Sequence, residues 1–354
     1  MNNPRMTLSD VSRRRMLTGG GAAVAGALLV GCTSNDPVNA AATNAGPVAA
    51  PGANSTPGKK VRITFSGPVA DHGFVAAVNS FAKKQAATYS DVDFKVLEAA
   101  ADAPSQIAAV QTAIAEKPDA LIIFPQDGDQ LTGVGKAATA AGIPVINLDR
   151  KFNDQSAFRL FLAGDNYRVG FIAGQYIGSK LKGKTGAVIG EITGIQTLAL
   201  TKERSQGFAD ALALSGLTVT RQVNAQFTVQ SGQQAMANLL AAAPHIDAVF
   251  NHDDDQNIGS EAAAAQANRK EFFIVGNACS NTMLKHIKAG DARIEADITF
   301  TPAISGTAVA LARLIAQERL PSDFAGLPVP SQMLIDSKLV TKDNVDQYAQ
   351  FGWD

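Results

Sequence analysis

The stretch PVINLDRKF, residues 144–152, sets Asp149 beside Arg150 at the end of a short apolar run. A carboxylate accepts hydrogen bonds, while a guanidinium presents a planar fork of donors. Neighbouring hydroxyls on a sugar are both donors and acceptors, so the pair could grip two of them; a salt bridge between lobes or loops is its other use. In VADHGF, residues 69–74, Asp71 and Phe74 share one loop. That combination suits the hydroxyls and the C–H face of a carbohydrate, although Phe74 could equally open the core face of a following helix. TKERSQGF, residues 201–208, puts Arg204 where it could enter a cleft, with Lys202 and Glu203 read as a solvated face. NHDDDQN, residues 251–257, brings three carboxylates and a histidine together. Consecutive aspartates cannot all aim at one ion without a looped backbone, and calcium-loop spacing is missing, so no metal is expected. Asp253 is read as a ligand acceptor, with Asp254 and Asp255 capping the next helix.

Covalent and redox chemistry find little support. The four histidines, His72, His245, His252 and His286, sit in no nucleophile or zinc motif. GVGKA, residues 133–137, is too short for a phosphate loop and lies within a helical pattern. No cofactor is implied. A pair of hydrolytic carboxylates stays open from sequence, but acids matched by Arg150 and Arg204 suit a neutral ligand better. A phosphorylated sugar would bring its dianion to Asp71, Asp149 and Asp253. The chain's net charge is −1, and its first 31 residues hold four arginines against one aspartate, leaving the remainder near −4. That balance argues against a nucleic-acid partner.

From Val61 the sequence alternates regularly between short apolar runs and helical patterns: VRITFSG, then FVAAVNSFAKKQAAT; ALIIFP, then DQLTGVGKAATAAG; and so on to RIEADITF. Strands that are apolar throughout and separated by helices predict parallel sheets covered on both faces. About ten such strands in 354 residues exceed one small sheet and one core, so the fold class is α/β with two lobes. In open α/β sheets, ligands lie beyond the carboxyl ends of the strands. Those ends carry Asp71 to Phe74, Pro125 to Asp127, Asp149 and Arg150, Asn251 to Asp255, and Asn277 to Ser280.

The N-terminus is an address rather than an element. Met16 to Val30 is too short to span a membrane. Ser12-Arg13-Arg14-Arg15-Met16-Leu17 resembles a twin-arginine export signal, and Leu29-Val30-Gly31-Cys32 resembles a lipobox in which Cys32 is acylated. Residues 33–60, rich in Ala, Pro, Asn, Gly and Ser, read as a flexible tether. The only other cysteine, Cys279, is then a lone, buried thiol.

Taken with that address, SGPVADHGFVAAV, IPVINLDRKF, LAGDNYRVGFIAGQYI, ERSQGFADAL and DAVFNHDDDQNIG resemble the type I periplasmic sugar-binding proteins, the ribose-binding-like family that feeds ABC importers. The resemblance implies two Rossmann-like lobes joined by three crossings, residues 60–163 with 301–328 and residues 164–300 with 329–354. It follows an export and lipoprotein signal over 1–31 and a tether over 32–59. It implies ligand contacts from Asp71, Phe74, Asp149, Arg150, Arg204, Phe227 and Asp253. The sequence departs where the family usually carries an aromatic or aliphatic residue and then Asp, here Asn277 and Ala278, and where many members carry Gln, here Phe300. At Asp253 many relatives have Asn. The hydroxyl pattern is therefore not that of ribose, and the expected ligand is a small neutral monosaccharide or sugar alcohol. The expected partners are an ABC permease and the outer face of the cytoplasmic membrane, reached by a monomer through Cys32. A sugar sensor of the same fold is the nearest alternative, and an exported hydrolase a further one. A sugar-responsive repressor would need a DNA-binding segment ahead of Val61, where the low-complexity tether stands.

Overall fold

The computed structural model describes residues 56–97, 102–319 and 331–354; the export signal, Cys32 and the tether up to residue 55 lie outside them. Chain order runs β1 (Val61–Ser66), α1 (Gly73–Ala87), β2 (Val92–Val96), α2 (Ala103–Ala115), β3 (Ala120–Ile123), α3 (Gly128–Ala140), β4 (Val145–Leu148) and β5 (Leu160–Gly164). It continues with α4 (Asn166–Lys180), β6 (Ile189–Thr193), α5 (Ala199–Ala213), β7 (Arg221–Asn224), α6 (Val229–Ala242), β8 (Ala248–Asn251) and α7 (Asp254–Gln266). Next come β9 (Phe273–Val275), α8 (Asn281–Ala289), β10 (Ile294–Ile298), α9 (Ile304–Ala316), β11 (Gln332–Ile335) and β12 (Leu339–Thr341), followed by one helical turn, Val345–Tyr348.

Two six-stranded sheets result, ordered β11-β5-β4-β3-β1-β2 and β12-β10-β9-β8-β6-β7. Every pairing is parallel except β10 with β12. The central strands β3, β4, β6 and β8 are buried at every residue, the polar Asn147, Glu191, Thr193 and Asn251 included, as in a sheet covered on both faces. In the first lobe Val61, Ile63, Phe65, Ile122 and Ile146 meet Val75 and Val78 of α1 and Val309 of α9. In the second, Ile192, Val249 and Ile274 meet Met236 and Leu239 of α6. Each such side chain contributes about 1.5–3 kcal/mol on burial.

Two late strands were not expected from the sequence pattern, and one of them corrects the lobe boundary. Residues 329–354 do not all join the second lobe: β11 runs beside β5 in the first sheet, and only β12 extends the second. Both are short edge strands. β11 is mostly exposed, and its apolar stretch, Met333 to Ile335, is only three residues long, too short to stand out as a strand. The chain thus changes sheet after β5, between β10 and α9, and between β11 and β12.

Helix ends follow local chemistry. Asp102 and Asp127 cap α2 and α3 by accepting the backbone N–H groups of Ser105 and Gln130, and Thr228 and Ser231 form a reciprocal capping box on α6. Helices α4 and α5 touch backbone to backbone. A Cβ on Gly170 would lie 1.8 Å from the Arg204 carbonyl oxygen, and one on Gly207 would lie 2.0 Å from that of Tyr167. Only glycine allows that approach, which seats Arg204 at the mouth of the second sheet. Among the described residues, no helix is long and apolar enough to cross a membrane.

Candidate functional site

The carboxyl ends of the two sheets face each other across a cleft enclosing about 350 Å³ of space, its open mouth included. Its walls include Phe74, Asp149, Arg150, Arg204, Phe227, Asp253, Asn277 and Phe300, eight of the nine side chains singled out from the sequence. The ninth, Asp71, is not brought there. Its carboxylate is 53% exposed and accepts a 2.6 Å hydrogen bond with His72 Nδ1, and it is His72 that lines the cavity. A loop residue one place before the helix N-cap turns outward here, and sequence spacing alone could not separate the two positions. Phe124, Leu200 and Ala278 complete the lining. Phe124 directly follows β3, so the strand-end rule pointed to its neighbourhood; nothing in the sequence marked Leu200.

The first-lobe wall grows from the β4 end. Asp149 adopts a left-handed backbone (φ 64°), and its N–H bonds the Leu162 carbonyl at 2.9 Å, which turns the side chain inward. Phe227 (φ 62°) and Ala278 (φ 136°) are also lining residues with positive φ. Strain of this kind costs about 1–3 kcal/mol per residue and gathers at ligand sites. Arg150 lies over the Phe124 ring, 5.1 Å from its centroid, and donates from Nη1 to the Gln126 carbonyl at 2.7 Å. Behind it, Asn147 Nδ2 holds the Arg150 carbonyl and Asn147 Oδ1 accepts the Phe152 N–H. Asp149 and Arg150 therefore stand side by side, and Asp149 Oδ1 and Arg150 Nε are buried without a protein partner.

The second-lobe wall is tied to a single carbonyl. Arg204 Nη1 and Asn277 Nδ2 both donate to the His252 backbone oxygen, at 2.8 and 3.1 Å. Arg204 Nε bonds Asn166 Oδ1 at 2.9 Å, and its guanidinium lies 4.7 Å from the Phe300 ring centroid. The His252 ring is fixed from behind by Glu191, which also accepts from Ser205 and Gln222. Asn277 Oδ1 is buried and unpartnered. Asp253 differs from its expected use in one respect. It is itself the cap of α7, its Oδ1 accepting the N–H groups of Asp255 and Gln256, whereas Asp254 and Asp255 sit in the first turn. Asp254 Oδ2 takes the Ser280 N–H and Asp255 Oδ2 takes the Phe74 N–H. Lys202 and Glu203 are exposed, as expected of a solvated face.

Burial dominates the electrostatics. It pushes the Asp149 carboxyl up, against the pull of Arg150 and Arg204, and it lowers both guanidinium groups from their usual values. Burial, with Asp255 and Asp254 alongside, pushes Asp253 well up. At Glu191 burial acts upward as well, but the hydrogen bonds from His252, Ser205 and Gln222 outweigh it and leave the group below its ordinary value. Two arginines facing two aspartates make a cavity with no strong preference for a charged guest. Among the described residues the one mixed cluster with metal-ligand geometry, Glu261, His286 and Asp291, lies outside this cavity. Cys279 is a free, buried thiol whose pKa burial raises further.

A family model described as a periplasmic binding protein domain matches residues 63–319. The chain belongs to the periplasmic binding protein family. Its relatives include the ribose import binding proteins of Bacillus subtilis and Escherichia coli. The first is 31% identical over 60% of this chain and 67% of the relative; the second is 33% identical over 51% and 60%. A Mycobacterium smegmatis ABC transporter solute-binding protein with bound glycerol superposes with a TM-score of 0.74 at 25% identity, covering 83% of this chain and all of that one. A galactofuranose-binding protein shares the fold with a TM-score of 0.73 at 24% identity, covering 82% and 97%. This periplasmic binding protein keeps the two-lobed parallel architecture, and membership of the family implies an exported protein.

Proposed function

We propose that this protein captures a small neutral monosaccharide or sugar alcohol between its lobes and delivers it to an ABC importer, held at the outer face of the cytoplasmic membrane by a lipid on Cys32. The observation that carries the reading is the set of buried polar atoms with no protein partner around one cavity: Asp149 Oδ1 and Asn277 Oδ1 as acceptors, Arg150 Nε as a donor. An unpaired buried polar group costs about 1–3 kcal/mol, and a hydroxylated ligand supplies what each lacks. Phe74, Phe124, Phe227 and Phe300 give the same ligand apolar surfaces for its C–H faces. A phosphorylated sugar fits less well, because both arginines already spend donors on backbone carbonyls and two acids line the same walls. The expected ligand-free and bound forms differ by hinge closure, with the closed form presented to the permease.

The reading is tested by a thermal-shift screen of the full-length protein against pentoses, hexoses and sugar alcohols of four to six carbons. A ligand at 100 times its dissociation constant adds about 2.7 kcal/mol and raises Tm by a few degrees. One stabilising compound with silent epimers supports the reading; a flat panel defeats it. Release of a free sugar from a glycoside would move the assignment to a hydrolase. One finding favours a sensing role as a second reading: the fructose-binding periplasmic domain of a hybrid two-component system has the same fold, with a TM-score of 0.71 at 25% identity. Co-purification with a permease rather than a signalling protein separates the two.

A further inference from the structure

Six helices of the described residues, α2, α3, α4, α6, α7 and α8, are capped by the side chain of the residue that precedes them. Helix α1 is not. The N-cap residue of α1, His72, has a polar side chain but makes no capping hydrogen bond, because its ring Nδ1 is engaged with Asp71. The missing acceptor comes instead from the opposite lobe: Asp255 Oδ2, in the first turn of α7, accepts the Phe74 backbone N–H at 3.1 Å. Residue 73 makes room for it. A Cβ on Gly73 would stand 2.9 Å from Asp255 Oδ1 and 3.2 Å from the Trp353 ring, both on the second lobe. Trp353 itself is pinned there by its indole N–H to the Ala278 carbonyl at 2.9 Å, and it meets Phe74 edge-on at 5.7 Å. The start of α1 is therefore completed by the other lobe.

We infer that Asp255 is a positioning residue and closure latch: it caps α1 across the cleft, holds Phe74 against the cavity, and biases the lobes towards the closed state before any sugar arrives. The inference rests on the reading that the lobes close around a ligand, and it adds what sets the closing equilibrium. An N-terminal helix N–H needs an acceptor, and a carboxylate there also meets the positive end of the helix dipole. When the lobes part, α1 keeps no side-chain substitute, so the interaction exists in one state only, which is the condition for shifting a population. A cap contributes enough to change a closed-to-open ratio about five-fold. Because Asp255 acts on the lobes rather than on the guest, every ligand should be affected by the same factor.

The test is a distance measurement by double electron–electron resonance on ligand-free protein. Spin labels are placed at Lys83 on α1 and Lys285 on α8, in a Cys32→Ser background with Cys279 left in its buried position. The expected result is a closed population in the parent that falls about five-fold relative to the open one in Asp255→Ala. Asp255→Asn, which can still accept the Phe74 N–H, should restore it. Gly73→Ala is the independent variant: it improves the helix propensity of α1 yet displaces Asp255, so it should open the lobes without destabilising the first lobe. An unchanged closed-to-open ratio in both Asp255→Ala and Gly73→Ala, or a parent with no closed population, overturns the latch. Since no sugar is present, a flat sugar panel would defeat the proposed function while leaving this result standing. Conversely, an unchanged ratio with a clear sugar hit would remove the latch alone.

Discussion

On the first-lobe wall, Asp149 and Arg150 each leave a buried polar atom uncommitted; on the second, Arg204 and Asn277 share the His252 carbonyl, and Asp253 spends an oxygen on capping α7. The first wall offers a guest two such atoms, whereas the second offers Asn277 Oδ1 and is otherwise mostly braced against itself. The bracing runs deep: Glu191 holds the His252 ring, and His252 in turn presents the carbonyl that fixes Arg204 and Asn277. A rigid second wall and a less committed first wall give a site in which hydroxyl recognition concentrates at the β4 end, while the other lobe closes over it with fixed geometry. Preorganised donors of that kind lose little entropy on binding.

The sharpest way to break this comparison is Asp149→Ala. It removes an unpartnered buried acceptor and should weaken the best ligand of the screen by at least ~100-fold (about 3 kcal/mol), with the circular dichroism spectrum unchanged. Near-normal affinity in the folded variant would mean that the first wall is not the reading surface. Arg313→Ala provides the opposite outcome. Arg313 is buried against Asp91 at 2.6 Å and over the Tyr89 ring, behind the first sheet and away from the cavity lining. Breaking that pair should cost about 3 kcal/mol of stability by denaturant unfolding, with the dissociation constant for the same ligand unaltered.

A smaller effect should appear with pH. The buried Asp254 carboxyl is pushed up to about 6, chiefly by burial and against hydrogen bonds from Asp297 and Ser280. An acid that holds its proton more tightly folded than unfolded stabilises the fold below its unfolded value of 3.8 and loses that contribution as pH rises to about 6. Asp254→Asn should therefore reduce the fall in Tm between about pH 4 and pH 7 relative to the parent. Asp91 acts in the other direction. Its carboxyl is held well below the usual range, first by the hydrogen bond from Arg313, so its contribution is present above the ordinary carboxylate value and fades only in strong acid. The smallest effect belongs to Asp71→Ala, expected to change affinity by less than about two-fold in calorimetric titration, because the carboxylate points outward and is screened by solvent.

That last residue marks how far the sequence could be read. Asp149, Arg150 and Asp253 were legible because strand ends in parallel sheets face the ligand side, and a charged residue placed there by an apolar run has few other uses; Arg204, inside α5, was marked instead by the ERSQGFADAL motif. Asp71 satisfied the same rule and failed it, since position on a loop does not fix which of two neighbours turns inward. The sheets were legible wherever a strand was buried on both faces; β11 was not, because its apolar stretch, Met333 to Ile335, is short and exposed and its partner β5 is distant in sequence. The His252–Glu191 brace left no trace either. It joins the middle of β6 to the residue after β8 through a fully buried ring, and a lone histidine among aspartates carries no pattern. The latch on α1 was invisible for the same reason: an absent cap is not a motif.

The most direct test of the central claim uses the protein's single tryptophan. Trp353 is 4% exposed and packs on Phe74 across the cleft, so its emission reports whether the lobes are closed. Titrating the full-length protein with the best sugar or sugar alcohol of the screen should give a saturable change in Trp353 emission, and the same titration of Asp149→Ala should give none. A saturable change of equal size and midpoint in Asp149→Ala, or thermal stabilisation with no change at Trp353 in the parent, would contradict capture of the ligand between the lobes.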